Sequence, residues 1–390
     1  MKYVDEFRDG ERARVLAGAI AAEVRPGRRY RLMEFCGGHT HAVFRYGVPD
    51  LLPASVELIH GPGCPVCVLP IGRLDMAIRL ASDHPEVILT SYGDMLRVPG
   101  SGGRSLLKAR AEGADVRMVY SVSDALELAK ANPEREVVFF AIGFETTTPP
   151  TALAILQAEA EGLPNFSVFC NHVLTPAAMK AILNVSPGAG EAVAIDGFIG
   201  PSHVSVVIGS DAYRFCAEQY AKPVVIAGFE PLDVLQSILM LVRQLNDGRA
   251  VIENQYTRAV TPAGNSRAQA AVQKVFTRRP VFEWRGLGDI PESALALAGP
   301  FRAFDAEHRF AMEYQYARGT KSCECPAVLR GAKKPTDCKL FATSCTPDNP
   351  LGSCMVSDEG ACAAYYTYGR FREEAERRQQ HVSEARRAAR

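Results

Sequence analysis

Long apolar runs are missing from these 390 residues: no stretch approaches the ~18 uninterrupted apolar residues that a membrane helix needs. The opening MKYVDEFRDGERARV is charged from its second residue and lacks the apolar centre of a secretory signal. These absences lead us to expect a cytoplasmic chain with no membrane partner. A charge excess is missing too, with 44 Lys+Arg against 44 Asp+Glu, so nothing indicates a nucleic acid or an anionic surface as partner. The one visible basic run is residues 370–390, where Arg and Glu alternate at helical spacing and predict a solvated, frayed helix. Neither a P-loop nor a GxGxxG after a strand occurs, which leaves nucleotide chemistry without support.

What the chain does have is enough apolar content, 47%, for a real core, and a length that predicts two or three domains. It also has 11 cysteines. In a reducing compartment these are more readily metal ligands or redox groups than structural disulfides. Six of them, Cys323, Cys325, Cys338, Cys345, Cys354 and Cys362, fall in one 40-residue window.

From residue 30 onward, short β-branched runs alternate with amphipathic stretches, the βαβ pattern of parallel sheets covered by helices. Strands are predicted at 30–35, 56–60, 87–91, 116–120, 137–142, 166–170, 195–199 and 223–228. This rhythm implies an α/β fold with two doubly wound lobes, the first over 30–135 and the second over 136–250, divided near Pro133 to Glu136. Residues 2–24 predict an amphipathic helix, and beyond 250 regular periodicity gives way to Gly, Pro and Cys. We group 1–29 with 251–390 as a third, loop-rich, metal-binding unit, with 318–362 as its ligand segment.

In open parallel sheets ligands bind beyond the carboxyl ends of the strands, and most of the unusual residues follow predicted strands. Cys36-Gly37-Gly38-His39-Thr40-His41 follows the first, and Gly61-Pro62-Gly63-Cys64-Pro65-Val66-Cys67 the second. Tyr92-Gly93-Asp94, Gly143-Phe144-Glu145, Asn171-His172, Pro201-Ser202-His203 and Gly228-Phe229-Glu230 follow later ones. Cys36 with His39 and His41 offers soft sulfur and imidazole donors within about a turn, with glycines that let backbone approach a ligand. A capped turn beside a buried cysteine is the blander alternative. Cys64-x-x-Cys67 is a redox pair or half of a zinc site, and no second such pair occurs in this lobe to complete the latter. Glu145 is either a bystander at a strand-to-helix junction or an acid, base or anchoring group. His203, in a rigid Pro-Ser-His turn, is favoured over His172, which reads as structural.

The six clustered cysteines permit three disulfides, a zinc site, or an iron-sulfur cluster, the last two leaving two thiols over. Paired Cys-x2-Cys knuckles are absent; the spacing is one, twelve, six, eight and seven residues. A 4Fe-4S cube tolerates such gaps, because its irons present separated vertices to a wrapping loop.

Together CGGHTH, GPGCPVCVLP, GFETTTPP, GPSHVSVVIG, the FEP after the eighth strand and the tail pattern closely resemble the HypD family of hydrogenase maturation factors, over essentially the whole chain. The resemblance implies two α/β lobes and a domain with one 4Fe-4S cluster. It implies a scaffold that works with a small HypC-type chaperone and a HypE-type cyanide donor to assemble the Fe(CN)2CO group of NiFe hydrogenase. On this chain it makes Cys36 the ligand of a transient iron carrying cyanide and CO, and Cys64 and Cys67 the dithiol beside it. His39, His41, Glu145 and His203 become supporting groups in the same cleft. Cys325, Cys338, Cys345 and Cys362 would hold the cluster in the spacing C-x12-C-x6-C-x16-C, with Cys323 and Cys354 as a second dithiol. Two rivals use parts of the same inventory: a 4Fe-4S-dependent thiol-disulfide oxidoreductase acting on proteins, and a structural zinc protein. The oxidoreductase has no use for CGGHTH.

Overall fold

A computed structural model describes residues 5–184 and 193–369; the helix predicted over 370–390 lies outside them. Nine strands form two parallel sheets covered by helices, the α/β architecture anticipated from the sequence. In the first sheet the order is β2 (Val56–His60), β1 (Tyr30–Glu34), β7 (Gly197–Gly200), β8 (Val224–Ile226), β9 (Ile252–Asn254). The second runs β4 (Val116–Met118), β3 (Val87–Ser91), β5 (Glu136–Gly143), β6 (Phe166–His172). Their near-continuous apolar runs follow from burial on both faces, with every residue of β3 and β6 buried.

The pairing corrects the contiguous lobes 30–135 and 136–250. Residues 30–60 pair with 197–254, and the second sheet is an insertion between them. Glu136, placed at the supposed boundary, pairs with Val87 in the middle of the second sheet. Strand and helix alternate identically through both regions, so rhythm alone does not say which strands are neighbours. The first 29 residues are regrouped as well. Asp9 caps the helix Gly10–Glu23 by accepting from the N–H groups of Glu11 and Arg12, which starts it later than predicted. That helix packs on Pro231–Asn246 of the first lobe, where Arg243 Nε donates to Glu23 at 2.7 Å.

Beyond residue 250 the chain is more regular than its periodicity suggests. A helix, Ser266–Val275, precedes four short strands: β10 (Phe276–Arg278) pairs with β13 (Leu295–Leu297), and β11 (Val281–Trp284) with β12 (Gly288–Pro291). Trp284 is fully buried and its indole N–H donates to Ser293 Oγ at 2.9 Å. Arg73 ties this part to the second sheet, reaching Glu307 (2.5 Å), Asn171 Oδ1 (2.5 Å) and the Cys170 carbonyl (3.0 Å). Because Arg73 is buried, removing Glu307 would strand a charge and cost about 3–5 kcal/mol. The tail is not appended to this core but continuous with it: one apolar cluster runs from Met33 and Phe35 through Cys64, Cys67 and Trp284 to Cys325, Cys354 and Cys362.

Candidate functional site

The order of the first sheet reverses at β1, with β2 on one side and β7 on the other, so a crevice opens beyond its carboxyl end. β1 ends at Glu34, fully buried, and the register Glu34↔His60 sets the two side chains together. Glu34 Oε1 meets His60 Nδ1 at 2.7 Å and accepts from Thr40 Oγ1, while Oε2 accepts the Cys36 N–H at 3.2 Å. One carboxylate thus fixes the loop in which Cys36 caps the helix Gly37–Arg45. Glycines let other chain segments close in. A Cβ on Gly63 would lie 2.4 Å from the Cys36 nitrogen, and the Gly37 N–H donates to the Gly63 carbonyl at 3.0 Å. From the tail, Glu359 packs so tightly on Gly37 that a Cβ there would stand 2.4 Å from its own Cβ. Half-buried Cys36 keeps its thiol proton well above the ordinary thiol range, through burial first and then the neighbouring charge of Glu359.

The loop against Cys36 carries the disulfide Cys64–Cys67, both residues buried, with Cα atoms 5.2 Å apart. Pro65 starts the single helical turn Pro65–Val68, and Cys64 Sγ accepts the Cys67 N–H at 3.2 Å. His39 braces the crevice from the other side: its Nε2 lies 3.2 Å from the Ala227 carbonyl, 3.1 Å from that of Gly228 and 3.1 Å from Ser202 Oγ. Burial lowers its basicity, and its buried Nδ1 has no hydrogen-bond partner among the described residues. Phe229 packs between His39 and His203, with ring centroids at 5.0 and 4.3 Å. Burial depresses His203 as well. His41 faces the tail instead and packs edge-on against Tyr368 at 5.3 Å.

Glu145 belongs to the rim of the second sheet. It accepts from Thr175 N and Thr175 Oγ1, both at 2.9 Å, and burial pushes its carboxyl up to about 7. Glu145 lines a cavity of about 760 Å³ together with Thr148, Lys180 and Phe276. Buried Tyr213 lies close enough to feel both Glu145 and Cys36, and its phenol is raised by burial and then by these neighbours. His172 is a core group, as anticipated: Nε2 pairs with Thr151 Oγ1 at 2.9 Å and burial pushes it down to about 4.

All six tail cysteines line a single small cavity. Cys323 and Cys354 both hydrogen-bond to Cys325, which lowers the Cys325 thiol, with Arg285 adding to the effect. Cys354 also meets Cys362, and Cys345 lies near Cys362 and Cys338. Their arrangement is one run of sulfurs, and it does not separate a set of four from a pair. Ser353 connects the cavity to the crevice, its Oγ donating to the Cys67 carbonyl at 3.0 Å while lying 3.7 Å from Cys325 Sγ.

The family model described as "HypD: Hydrogenase formation hypA family" matches residues 11–369. The chain belongs to the HypD family of hydrogenase maturation factors. It is 69% identical over 373 residues to the hydrogenase maturation factor HypD of Azotobacter vinelandii, covering 96% of this chain and 98% of that one. Identity is also 69%, over 375 residues, to the hydrogenase expression/formation protein HupD of Azotobacter chroococcum mcd 1, with 96% and 99% covered. With HypD of Escherichia coli K12 it is 48% over 380 residues, 96% and 100%.

For a HypD-family chain, the donor set suits the cluster that the resemblance implies. Six soft sulfurs converge from a loop-rich wrap onto one cavity, and iron-sulfur cubes take four thiolates at separated vertices. Glu34, Glu359, Tyr213, Ser353 and Arg285 were not singled out from the sequence. Glu34, an acid ending an apolar central strand, carried a usable signal; the others meet the site only through tertiary packing. No helix among the described residues is long and apolar enough to cross a membrane.

Proposed function

We propose that this hydrogenase maturation factor is the scaffold on which, with a HypC-type chaperone and cyanide from a HypE-type donor, the Fe(CN)2CO group of a NiFe hydrogenase is assembled. Cys36 anchors the cargo iron through sulfur, a soft donor suited to low-spin iron with strong-field ligands. The observation that carries this reading is the contact of Cys36 with Gly63, which sets the anchoring loop directly against the loop of the Cys64–Cys67 disulfide. Reduction of that disulfide takes two electrons and two protons and yields two thiols; reoxidation returns two electrons beside the cargo. Cys325, Cys338, Cys345 and Cys362 would hold a 4Fe-4S cluster, which would supply electrons one at a time. Cys323 and Cys354 would be the intermediate dithiol: exchange breaks the Cys64–Cys67 bond and forms one between Cys323 and Cys354, moving two electrons and two protons, and two one-electron reductions with two protons would restore their thiols, a route supported by their contacts with Cys325.

Within the crevice, Glu34 and Gly63 hold the Cys36 backbone, His39 locks the β8 loop, and His203 and Phe229 shape the wall where small ligands of the iron would sit. The raised Cys36 thiol keeps its proton until iron displaces it. A reductase of protein disulfides needs an accessible dithiol, whereas Cys64 and Cys67 are 3% and 0% exposed. This burial favours the scaffold.

Infrared spectra of the anaerobically purified complex with its chaperone test the reading. Bands of metal-bound cyanide and CO are expected, and they should vanish in Cys36→Ala. Their absence from every wild-type preparation would overturn it.

A further inference from the structure

Three successive carbonyls at the exit of the disulfide turn are held from the side of the cysteine cavity. Ser353 Oγ donates to Cys67 O at 3.0 Å, the Arg285 N–H to Val68 O at 2.8 Å, and Arg285 Nε to Leu69 O at 2.9 Å. Ser353 is fully buried, so no bulk water replaces its hydroxyl when it turns away. A serine hydroxyl has one proton to donate. At 3.0 Å that proton is committed to the Cys67 carbonyl, and the 3.7 Å approach to Cys325 Sγ is the weaker contact. The same oxygen therefore touches the backbone of one sulfur centre and the side chain of the other.

We infer that Ser353 is a positioning residue that couples the two centres: iron on Cys325 draws its hydroxyl from the Cys67 carbonyl, so occupancy of the cysteine cavity sets the redox poise of Cys64–Cys67. The inference rests on the proposed cluster in the tail cavity. Its physical content is a competition between two acceptors. With the carbonyl held, the turn is kept in its disulfide-bonded arrangement; with the carbonyl released, the turn relaxes and the dithiol gains. Reduction breaks the Cys64–Cys67 bond and consumes two electrons and two protons, taken in the assay from a dithiol buffer that becomes a cyclic disulfide. Loading the cavity makes that reduction easier.

The test uses the full chain, anaerobically, in two forms: reconstituted with iron and sulfide, and stripped of both. Each is equilibrated in dithiothreitol redox buffers, the Cys64 and Cys67 thiols are alkylated, and their peptide is quantified by mass spectrometry. In the wild type, loading should shift the equilibrium about tenfold toward the dithiol, which is about 30 mV. Ser353→Ala should remove the dependence on loading, and Ser353→Thr, which keeps the hydroxyl, should restore it. An equal shift in wild type and Ser353→Ala overturns the inference, as does a loaded wild type that matches the stripped one, whatever the variants do. Iron and sulfide assays distinguish this failure from that of the underlying reading, in which the wild type takes up no cluster at all.

Discussion

The rim of the first sheet and the cysteine cavity of the tail both gather sulfur, but they are built in opposite ways. At the rim, backbone sets the geometry. Glu34 and His60 are opposed by strand register, Cys36 is fixed through its own N–H, and the neighbouring loop reaches it because Gly63 has no side chain. In the cavity, side chains set the geometry: six thiols on loops and short turns line one space, and four of them, Cys323, Cys325, Cys354 and Cys362, meet in a row. A geometry fixed by backbone is already set in the folded chain, whereas one fixed by side chains can still adjust as they rotate.

Alanine at one glycine of each region gives the sharpest test. In Gly63→Ala the new Cβ meets Cys36 backbone at 2.4 Å, so the loops must part; we expect a loss of about 3 kcal/mol or more in denaturant unfolding, along with lost hydrogenase maturation. In Gly352→Ala the nearest atom is Cys323 Sγ at 2.6 Å, which can rotate away, and the loss should stay below about 1 kcal/mol. Equal effects would break the comparison.

A second rim group changes stability with pH. Burial raises Glu145 from 4.5 to about 7, so between those values the unfolded chain gives up its proton first and stability falls as pH rises. The fall totals roughly 3 kcal/mol, is absent below pH 4.5 and is complete above 7. Glu145→Gln should flatten that part of a stability-against-pH curve measured by urea unfolding. Next in size, Glu34→Ala leaves the Cys36 N–H, Thr40 and His60 without their shared acceptor and should cost about 2 kcal/mol, read by thermal unfolding.

The smallest stability effects belong to the cavity. Single Cys→Ser changes at 325, 338, 345 and 362 should alter the stability of the stripped protein by about 1 kcal/mol or less while abolishing its iron and sulfide. At 323 and 354 iron should be retained and dithiol exchange lost. A variant at 323 or 354 that loses its iron would redraw the division of the sulfurs.

The same contrast explains what was legible in the sequence. Strand runs, the two-sheet α/β class and the placing of Cys36 and Cys64-x-x-Cys67 on one rim could be read directly, because parallel strands are apolar throughout and their following loops stand out by composition. Which strands pair was not legible: nothing in YRLME says that it lies beside GFIG, more than 160 residues away. His39 and His203 were visible as unusual residues, but the ring of Phe229 between them was not. Glu145 looked like a companion of Cys36 and instead caps a helix in the other sheet, with Tyr213 near both. In the tail the sulfurs are obvious and their partners are not, because loop spacing fixes no directions. Ser353 had no signal beyond adjoining Cys354.

The inserted second sheet also orders events at the ribosome. Residues 87–172 hold all four of its strands and can pair as soon as they emerge, whereas β1 and β2, made earlier, wait for β7 at Gly197 before the first sheet can close. The segment bearing Cys36 is therefore among the earliest synthesised, yet the sheet that positions it is complete only once β9 (Ile252–Asn254) has been translated.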